Sequence, residues 1–298
     1  MFGQTDNKKL IIFHAGSLAR PFAQIIQNFQ EENPGVEILK EIAGSRACAR
    51  KITDLGKECD ILASADYEVI DNLLIPEYAD WNLKFAANEM TIVYTKQSRL
   101  ADQINQSNWH EILLKKEINF GRSDPNNDPC GYRTILTWKL SESYYNHPGL
   151  AEKLLKKNKE YVRPKEVDLL ALLEAGELDY IFLYRSVAEQ HKLPFLLLPD
   201  SINLKEGKCT ELYKSVSVDV TGKKPGEYVT HMGTPMLYGV TIPHNAPNKT
   251  LANKFIHFLM NEDKGLKILR ENGQPTVVPS LCESYNKLPE EFKPYALK

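Results

Sequence analysis

The sequence has almost no charge imbalance and no long apolar run. Among its 298 residues, 37 Lys and Arg stand against 39 Asp and Glu, which gives a net charge of −2. Without a basic excess, nothing calls for nucleic acid or a membrane surface as a partner. The longest apolar runs, such as Ile181–Leu183 and Pro194–Leu198, are far too short to span a bilayer.

Sequence motifs of several enzyme classes are also missing. The seven histidines have no HxxxH or HExxH spacing, and there is no phosphate-binding GxxxxGK[ST] loop or dinucleotide fingerprint. No two cysteines form a CxxC pair, and an odd number of them leaves at least one outside any intramolecular disulfide. We interpret most of them as small apolar residues. The five cysteines are Cys48, Cys59, Cys130, Cys209 and Cys282.

The first seven residues are polar and contain no charged-then-apolar export signal. Two interpretations remain open. Either the protein is cytoplasmic, or the sequence begins after an export signal that has been removed.

Strand and helix patterns alternate in the first third of the chain. Apolar strand-like runs at Lys9–Phe13, Val36–Leu39 and Asp60–Ala65 are each followed by a helical pattern, and Asp66 is placed to cap the third helix. This βαβαβα order predicts a parallel, doubly wound α/β sheet. The length favours two domains, and a late strand at Gly239–Pro243 with its helices looks like a return to the first.

Two Gly-Ser turns join the first two strands to their helices. Gly16-Ser17 follows the first strand and Gly44-Ser45 follows the second. Each serine offers a hydroxyl beside the N–H groups at the start of a helix, and both groups favour an anion. One such turn is most often only a helix cap, whereas two on successive βα units would lie side by side at one sheet edge. The pair therefore predicts a small-oxoanion site.

An ordered set of segments resembles the substrate-binding components of tungstate/molybdate ABC importers. The set covers residues 9 to 280, and its order is more specific than any one member. The segments are His14–Leu18, Gly44-Ser45, Ala63–Tyr67, Asp128–Arg133, Glu166–Gly176 and Tyr184–Ala188.

This resemblance implies a type II periplasmic-binding fold, in which two α/β domains are joined by two crossing strands and hold the ligand in the cleft between them. Domain I would comprise residues 1–87 and 233–298, and domain II residues 88–232. The protein would then be an extracytoplasmic monomer, periplasmic or lipid-anchored. It would deliver tungstate or molybdate to its ABC permease and would have no catalytic activity and no cofactor.

The resemblance also implies a set of ligand-binding residues. Ser17 and Ser45 would donate hydroxyl hydrogen bonds, Cys130 its backbone N–H, and Tyr184 its phenol. Asp128 and Glu166 would coordinate the tungsten or molybdenum centre directly and expand it towards six oxygen neighbours, which sulfur in sulfate cannot do. The complete implied set is Gly16, Ser17, Ser45, Asp128, Pro129, Cys130, Glu166 and Tyr184.

Other interpretations of the same residues remain open. Asp128 can be an ordinary turn residue, Glu166 a favourable charge in a first helical turn, and Tyr184 an aromatic packed at a strand end. The same fold can bind sulfate, phosphate or an organic acid. An enzyme with Cys130 as nucleophile is the main alternative class. A sensor half of a transcription regulator would need a helix-turn-helix, for which there is no room before the first strand.

Overall fold

The computed structural model of the protein describes residues 8–205, 207–222, 224 and 226–298. The polar segment 1–7, in which the sequence shows no export signal, lies outside these residues. Among the residues described, no helix combines the length and the apolar character that crossing a membrane requires.

The chain alternates strands and helices along most of its length. The strands are β1 (Lys9–Ala15), β2 (Glu37–Ala43), β3 (Ile61–Ser64), β4 (Leu83–Ala87), β5 (Met90–Tyr94), β6 (Phe120–Ser123), β7 (Val162–Arg163), β8 (Tyr180–Tyr184), β9 (Phe195–Leu197), β10 (Ser217–Thr221), β11 (Tyr228–Met232), β12 (Leu237–Thr241), β13 (Ser280–Leu281) and β14 (Ala296–Leu297). The α-helices are α1 (Ala19–Glu32), α2 (Ser45–Thr53), α3 (Tyr67–Leu73), α4 (Trp109–Leu114), α5 (Pro129–Tyr144), α6 (Leu150–Lys156), α7 (Asp168–Glu174), α8 (Arg185–His191), α9 (Thr210–Tyr213), α10 (Lys249–Leu259) and α11 (Gly265–Glu271).

These elements form two compact units. Unit 1 comprises the described residues up to Ala86 together with Leu237–Lys298, and unit 2 is Ala87–Met236. The domain boundaries expected from the sequence, at 87/88 and 232/233, differ from these divisions by one and four residues. Their assignment to two domains that close on a ligand stays a prediction.

Unit 1 is built on a five-stranded sheet in the order β2-β1-β3-β12-β4. β1 is parallel to both β2 and β3, whereas β12 is antiparallel to β3. Strand β1 alternates between the two faces. Phe13 packs in a cluster with residues of α2 and α3, and His14 packs against Phe22 of α1, with 5.2 Å between ring centroids. Helices thus cover both faces, as the doubly wound pattern predicts.

Unit 2 contains a second five-stranded sheet, in the order β7-β6-β8-β5-β9. β6 is parallel to β7 and β8, and β5 is antiparallel to β8 and β9. Both sheets are therefore mixed. The antiparallel pairs arise where a strand arrives from the other unit, since β12 runs antiparallel to β3 and β5 runs antiparallel to β8.

Three local features differ in detail from their sequence patterns. Apolar Ile135, Leu136 and Trp138 predict a helix over residues 132–141. Helix α5 begins three residues earlier, at Pro129, because Asp128 caps it and proline suits the first helical position. Glu166 precedes α7 rather than lying in its first turn. The composition of the stretch 214–228, rich in Lys, Gly, Ser and Val, predicts an exposed excursion. The stretch contains β10, which pairs antiparallel with β11, and residues 223 and 225 lie outside the described chain.

Candidate functional site

The register of unit 1 places the two Gly-Ser turns side by side. β1 and β2 are parallel and in register, with Ala15 paired to Ala43 at their carboxyl ends. Ser17 follows the first of these ends in a buried 3-10 turn, Gly16–Leu18, and Ser45 follows the second as the first residue of α2. The predicted adjacency of the two turns at one sheet edge is confirmed.

The Ser17 hydroxyl is held by a residue distant in sequence. Its Oγ lies 3.0 Å from the hydroxyl of Tyr238, which donates to it from β12, and the Ser17 carbonyl accepts a hydrogen bond from Gln274 Nε2 at 3.0 Å. All three side chains are buried. The turn is thereby fixed from two sides, so the direction of the Ser17 hydroxyl is set by the fold of unit 1.

The Ser45 hydroxyl is held by the neighbouring strand loop. Its Oγ accepts the backbone N–H of Ala65, just after β3, at 2.9 Å. An oxygen that accepts an N–H directs its own hydrogen elsewhere, so Ser45 is oriented as a donor. The expected capping role of Asp66 is confirmed, because its Oδ1 accepts the Glu68 N–H at 3.0 Å at the start of α3.

Unit 2 repeats this edge arrangement with different chemistry. β7, β6 and β8 are parallel neighbours, and their carboxyl ends meet at one edge of the sheet. Glu166 follows β7, Asp128 follows β6, and Tyr184 is the last residue of β8. Three predicted ligand residues that are far apart in sequence are thus brought to one edge of one unit.

The Asp128 carboxylate links two of these loops. Its Oδ1 accepts the N–H of Cys130 at 3.1 Å and so caps α5, while its Oδ2 accepts the N–H of Glu166 at 2.8 Å. The side chain is 2% exposed and that of Glu166 is 1% exposed. The interpretation of Asp128 as a local turn residue accounts for the cap of α5. It does not account for the hydrogen bond from the Glu166 N–H.

Two buried acids lie close together at this edge. Burial raises the pKa of the Asp128 carboxyl, and a side-chain interaction with Glu166, together with the N–H of Cys130, lowers it by less. Two carboxyls in a shared buried environment oppose each other's ionisation unless positive charge offsets it. A cation or a high-valent metal centre that accepts their oxygens would supply that compensation.

The first turn of α5 is packed too tightly against the preceding loop to change shape. Cys130 is fully buried, and its thiol lies 3.7 Å from the carbonyl oxygen of Phe182. A Cβ on Gly131 would lie 2.5 Å from the carbonyl oxygen of Ser123 and 2.6 Å from the nitrogen of Pro125. Glycine is therefore required there, and the loop before α5 is fixed against the helix.

Burial also bears on the reactivity of Cys130. It raises the pKa of the thiol well above its ordinary value, and the negative charges of Asp128 and Glu166 raise it further. A cysteine nucleophile has to be a thiolate near neutral pH. The environment of Cys130 therefore opposes the enzyme interpretation.

Tyr184 is fully buried at the end of β8, next to a buried cation. Arg133 of α5 is 2% exposed, and its Nη1 donates to the Tyr184 hydroxyl oxygen at 3.2 Å. The packing interpretation of Tyr184 accounts for its ring but not for this contact. Arg133 belongs to a segment that carries the sequence resemblance, yet no role for it follows from the sequence, because only the fold shows that it reaches Tyr184.

Sequence comparisons identify relatives along nearly the whole chain. A family model described as bacterial extracellular solute-binding protein matches residues 10–274. A solute-binding protein of Petrotoga mobilis is 51% identical over 296 residues, which cover 99% of this chain and 92% of that protein. The molybdate/tungstate-binding protein WtpA of Pyrococcus abyssi is 42% identical over 314 aligned positions, which cover 96% and 89% of the two chains.

Solved structures support the same fold. The periplasmic molybdate-binding protein of Azotobacter vinelandii superposes with a TM-score of 0.64 over 91% of this chain and 99% of that chain, at 15% identity. At this low identity the likeness concerns the fold alone. The type II periplasmic-binding fold expected from the sequence is confirmed.

Proposed function

Because the chain belongs to the bacterial extracellular solute-binding protein family, as the resemblance predicted, we propose that it is the binding component of an ABC importer for tungstate or molybdate. The relatives are named as binding proteins rather than enzymes. In this role the protein is extracytoplasmic and passes its oxyanion to a membrane permease. It needs no cofactor and acts as a monomer.

The observation that carries the proposed ligand is the pair of buried acids in unit 2. Asp128 and Glu166 are nearly inaccessible to water, and a hydrogen bond of 2.8 Å from the Glu166 N–H to the Asp128 carboxylate joins their loops. Carboxylates repel sulfate and phosphate, whose central atoms accept no further oxygen ligands. Hexavalent tungsten and molybdenum are large, hard Lewis acids that can accept two carboxylate oxygens and approach six-coordination. The two acids therefore favour a tetraoxometallate and oppose the smaller oxyanions.

The remaining proposed ligands supply hydrogen-bond donors. Ser17 and Ser45 contribute hydroxyls from unit 1, and Cys130 and Tyr184 contribute an N–H and a phenol from unit 2. Donors aimed at the oxygens offset the hydration that a dianion loses on burial. Gly16 and Pro129 shape the two turns.

Calorimetric titration with tungstate, molybdate and sulfate tests this proposal. We expect tight one-to-one binding of the first two ions and no heat from sulfate. Sulfate binding equal to tungstate binding would retain an oxyanion carrier and reject the metal-directed role of Asp128 and Glu166. No binding of any of the three ions would reject the proposed function.

A further inference from the structure

The three proposed hydroxyl ligands share a feature that the sequence did not reveal. Each hydroxyl oxygen accepts a hydrogen bond from a donor of its own unit. The pairs are Ser17 with Tyr238 at 3.0 Å, Ser45 with the Ala65 N–H at 2.9 Å, and Tyr184 with Arg133 at 3.2 Å.

Among these donors, Arg133 is the one side chain that cannot also accept a hydrogen bond. A guanidinium has five N–H donors and no acceptor, so the Tyr184 oxygen must be the acceptor in this bond. The hydrogen on the phenol oxygen then points away from Arg133 Nη1. A hydroxyl without such a partner would rotate between directions and would pay an entropy cost on binding an oxyanion.

We propose that Arg133 is a positioning residue that orients the Tyr184 hydroxyl as a hydrogen-bond donor for the oxyanion. The inference rests on the proposed function, because it assigns Tyr184 to the ligand. The position of Arg133 is set by α5. The start of this helix is fixed by the Asp128 cap and by the close packing of Gly131. The guanidinium also lies 5.9 Å from the Tyr184 ring centroid, which keeps the two side chains together.

Arg133 could affect binding in a different way, through its charge. It acts electrostatically on the Cys130 thiol, as do Asp128 and Glu166, so the cation and the two acids surround one residue. A direct attraction between Arg133 and the oxyanion, or a balancing of the two carboxylates, would not depend on the Tyr184 hydroxyl. A positioning role depends on it completely.

A double-mutant cycle separates these two roles. Tungstate affinity is measured by calorimetry for the wild type, Arg133→Met, Tyr184→Phe and the double variant. We expect Arg133→Met to weaken binding about tenfold in the wild-type background, the size of one hydrogen bond to a charged group. In the Tyr184→Phe background we expect it to weaken binding by less than about twofold, because the hydroxyl that Arg133 orients is gone.

Arg133→Lys repeats the cycle with a variant that keeps the charge and most of the volume. An ammonium retains one positive charge but not the planar geometry of the guanidinium. We expect a partial loss of affinity in the wild-type background and none in the Tyr184→Phe background. This variant provides the answer if Arg133→Met does not fold, and circular dichroism with thermal unfolding establishes which variants are native.

Equal losses in the two backgrounds, or no loss in either, would overturn the positioning role. Either outcome leaves the proposed function intact as long as the wild type binds tungstate or molybdate. If the wild type binds neither ion, both the proposed function and this inference fail.

Discussion

The backbone N–H of Glu166 donates to the Asp128 carboxylate at 2.8 Å, across 38 residues of sequence. This bond joins the loop after β7 to the loop after β6, so one acid holds the backbone of the other in place. The two side chains proposed to meet a metal centre are therefore positioned by each other as well as by the sheet. Their separate effects on binding and on folding can be distinguished by the choice of substitution.

Glu166→Gln should separate ligand binding from folding at the second acid. The amide has the same shape, and the Glu166 N–H still reaches Asp128, but a neutral amide oxygen is a weak ligand for a hexavalent metal. We expect tungstate affinity to fall at least about tenfold with little change in the unfolding midpoint. Glu174→Gln changes an exposed acid of α7 and serves as the matched control, with unchanged affinity. Equal affinities of Glu166→Gln and wild type would remove Glu166 from the metal-directed role.

Two substitutions at Asp128 distinguish its cap from its proposed ligand role. Serine can still cap α5, whereas alanine cannot, and loss of a cap costs about 1 kcal/mol. We therefore expect Asp128→Ala to lower the free energy of unfolding more than Asp128→Ser. Both should lose most of their tungstate affinity. If Asp128→Ser binds tungstate as tightly as the wild type, Asp128 caps α5 and has no ligand role.

Gly131→Ala should damage the start of α5 by steric overlap. The new Cβ would lie 2.5 Å from the Ser123 carbonyl oxygen, a backbone atom that cannot move without its loop. Overpacking of this kind costs about 1–3 kcal/mol, and the displaced turn should also weaken oxyanion binding. Gly207→Ala is the control, because its Cβ would meet no atom within 4 Å. Denaturant unfolding and calorimetry measure the two effects, and equal stability of the two variants would contradict this account.

Asp71 should make the stability of the protein depend on mildly acidic pH. The pKa of its carboxyl is raised to about 6, mainly by burial and in part by Glu283, although the Asn82 amide, 3.0 Å away, lowers it. A carboxyl whose pKa is higher in the folded state stabilises at low pH, and this contribution is lost as pH rises through about 6. Relative to Asp71→Asn, the wild type should lose on the order of 2 kcal/mol between about pH 4 and pH 7.

Denaturant unfolding at several pH values checks the Asp71 prediction. Asp102→Asn, at an exposed position, should follow the wild-type curve. If the difference between wild type and Asp71→Asn does not vary with pH, the buried carboxyl is not the titrating group.

Thiol reactivity tests whether Cys130 is fit to be a nucleophile. The raised pKa and complete burial of Cys130 predict that iodoacetamide leaves it unmodified in the native protein at pH 8. Cys209 is partly exposed and should react under the same conditions. Peptide mass spectrometry reads both sites in one sample. Rapid alkylation of native Cys130 would restore the enzyme interpretation.

The local patterns of the sequence predict the first half of the fold well. In the first βα units, short apolar runs alternate with helical patterns and are separated by clear turns. These patterns predict β1, α1 and the start of α2. The parallel pairing of β1 with β2 follows from the connection between them. In contrast, the antiparallel arrangement of β12 depends on where the chain returns after 150 residues of unit 2. No local pattern encodes that direction.

The site illustrates the same limit in its chemistry. The proposed ligand residues stand in short motifs that the sequence displays. These motifs do not show which residues hydrogen-bond to the ligand residues. Tyr238 lies 221 positions from Ser17, and Arg133 lies 51 positions from Tyr184. From sequence alone, an arginine in a helical segment is expected to face solvent. Only the packing of α5 shows that Arg133 is buried. The second contact of Asp128 is invisible for the same reason.

Each unit assembles its own candidate residues at the carboxyl ends of adjacent parallel strands, two in unit 1 (β1 and β2) and three in unit 2 (β7, β6 and β8). Protein engineers could therefore treat the two halves as separate modules. The hydrogen-bond donors of unit 1 would be kept, because they can bind any small oxyanion. Asp128 and Glu166 of unit 2 would be replaced by neutral donors such as asparagine or serine. Selectivity would then shift from tetraoxometallates towards sulfate or phosphate, with a library confined to a single sheet edge.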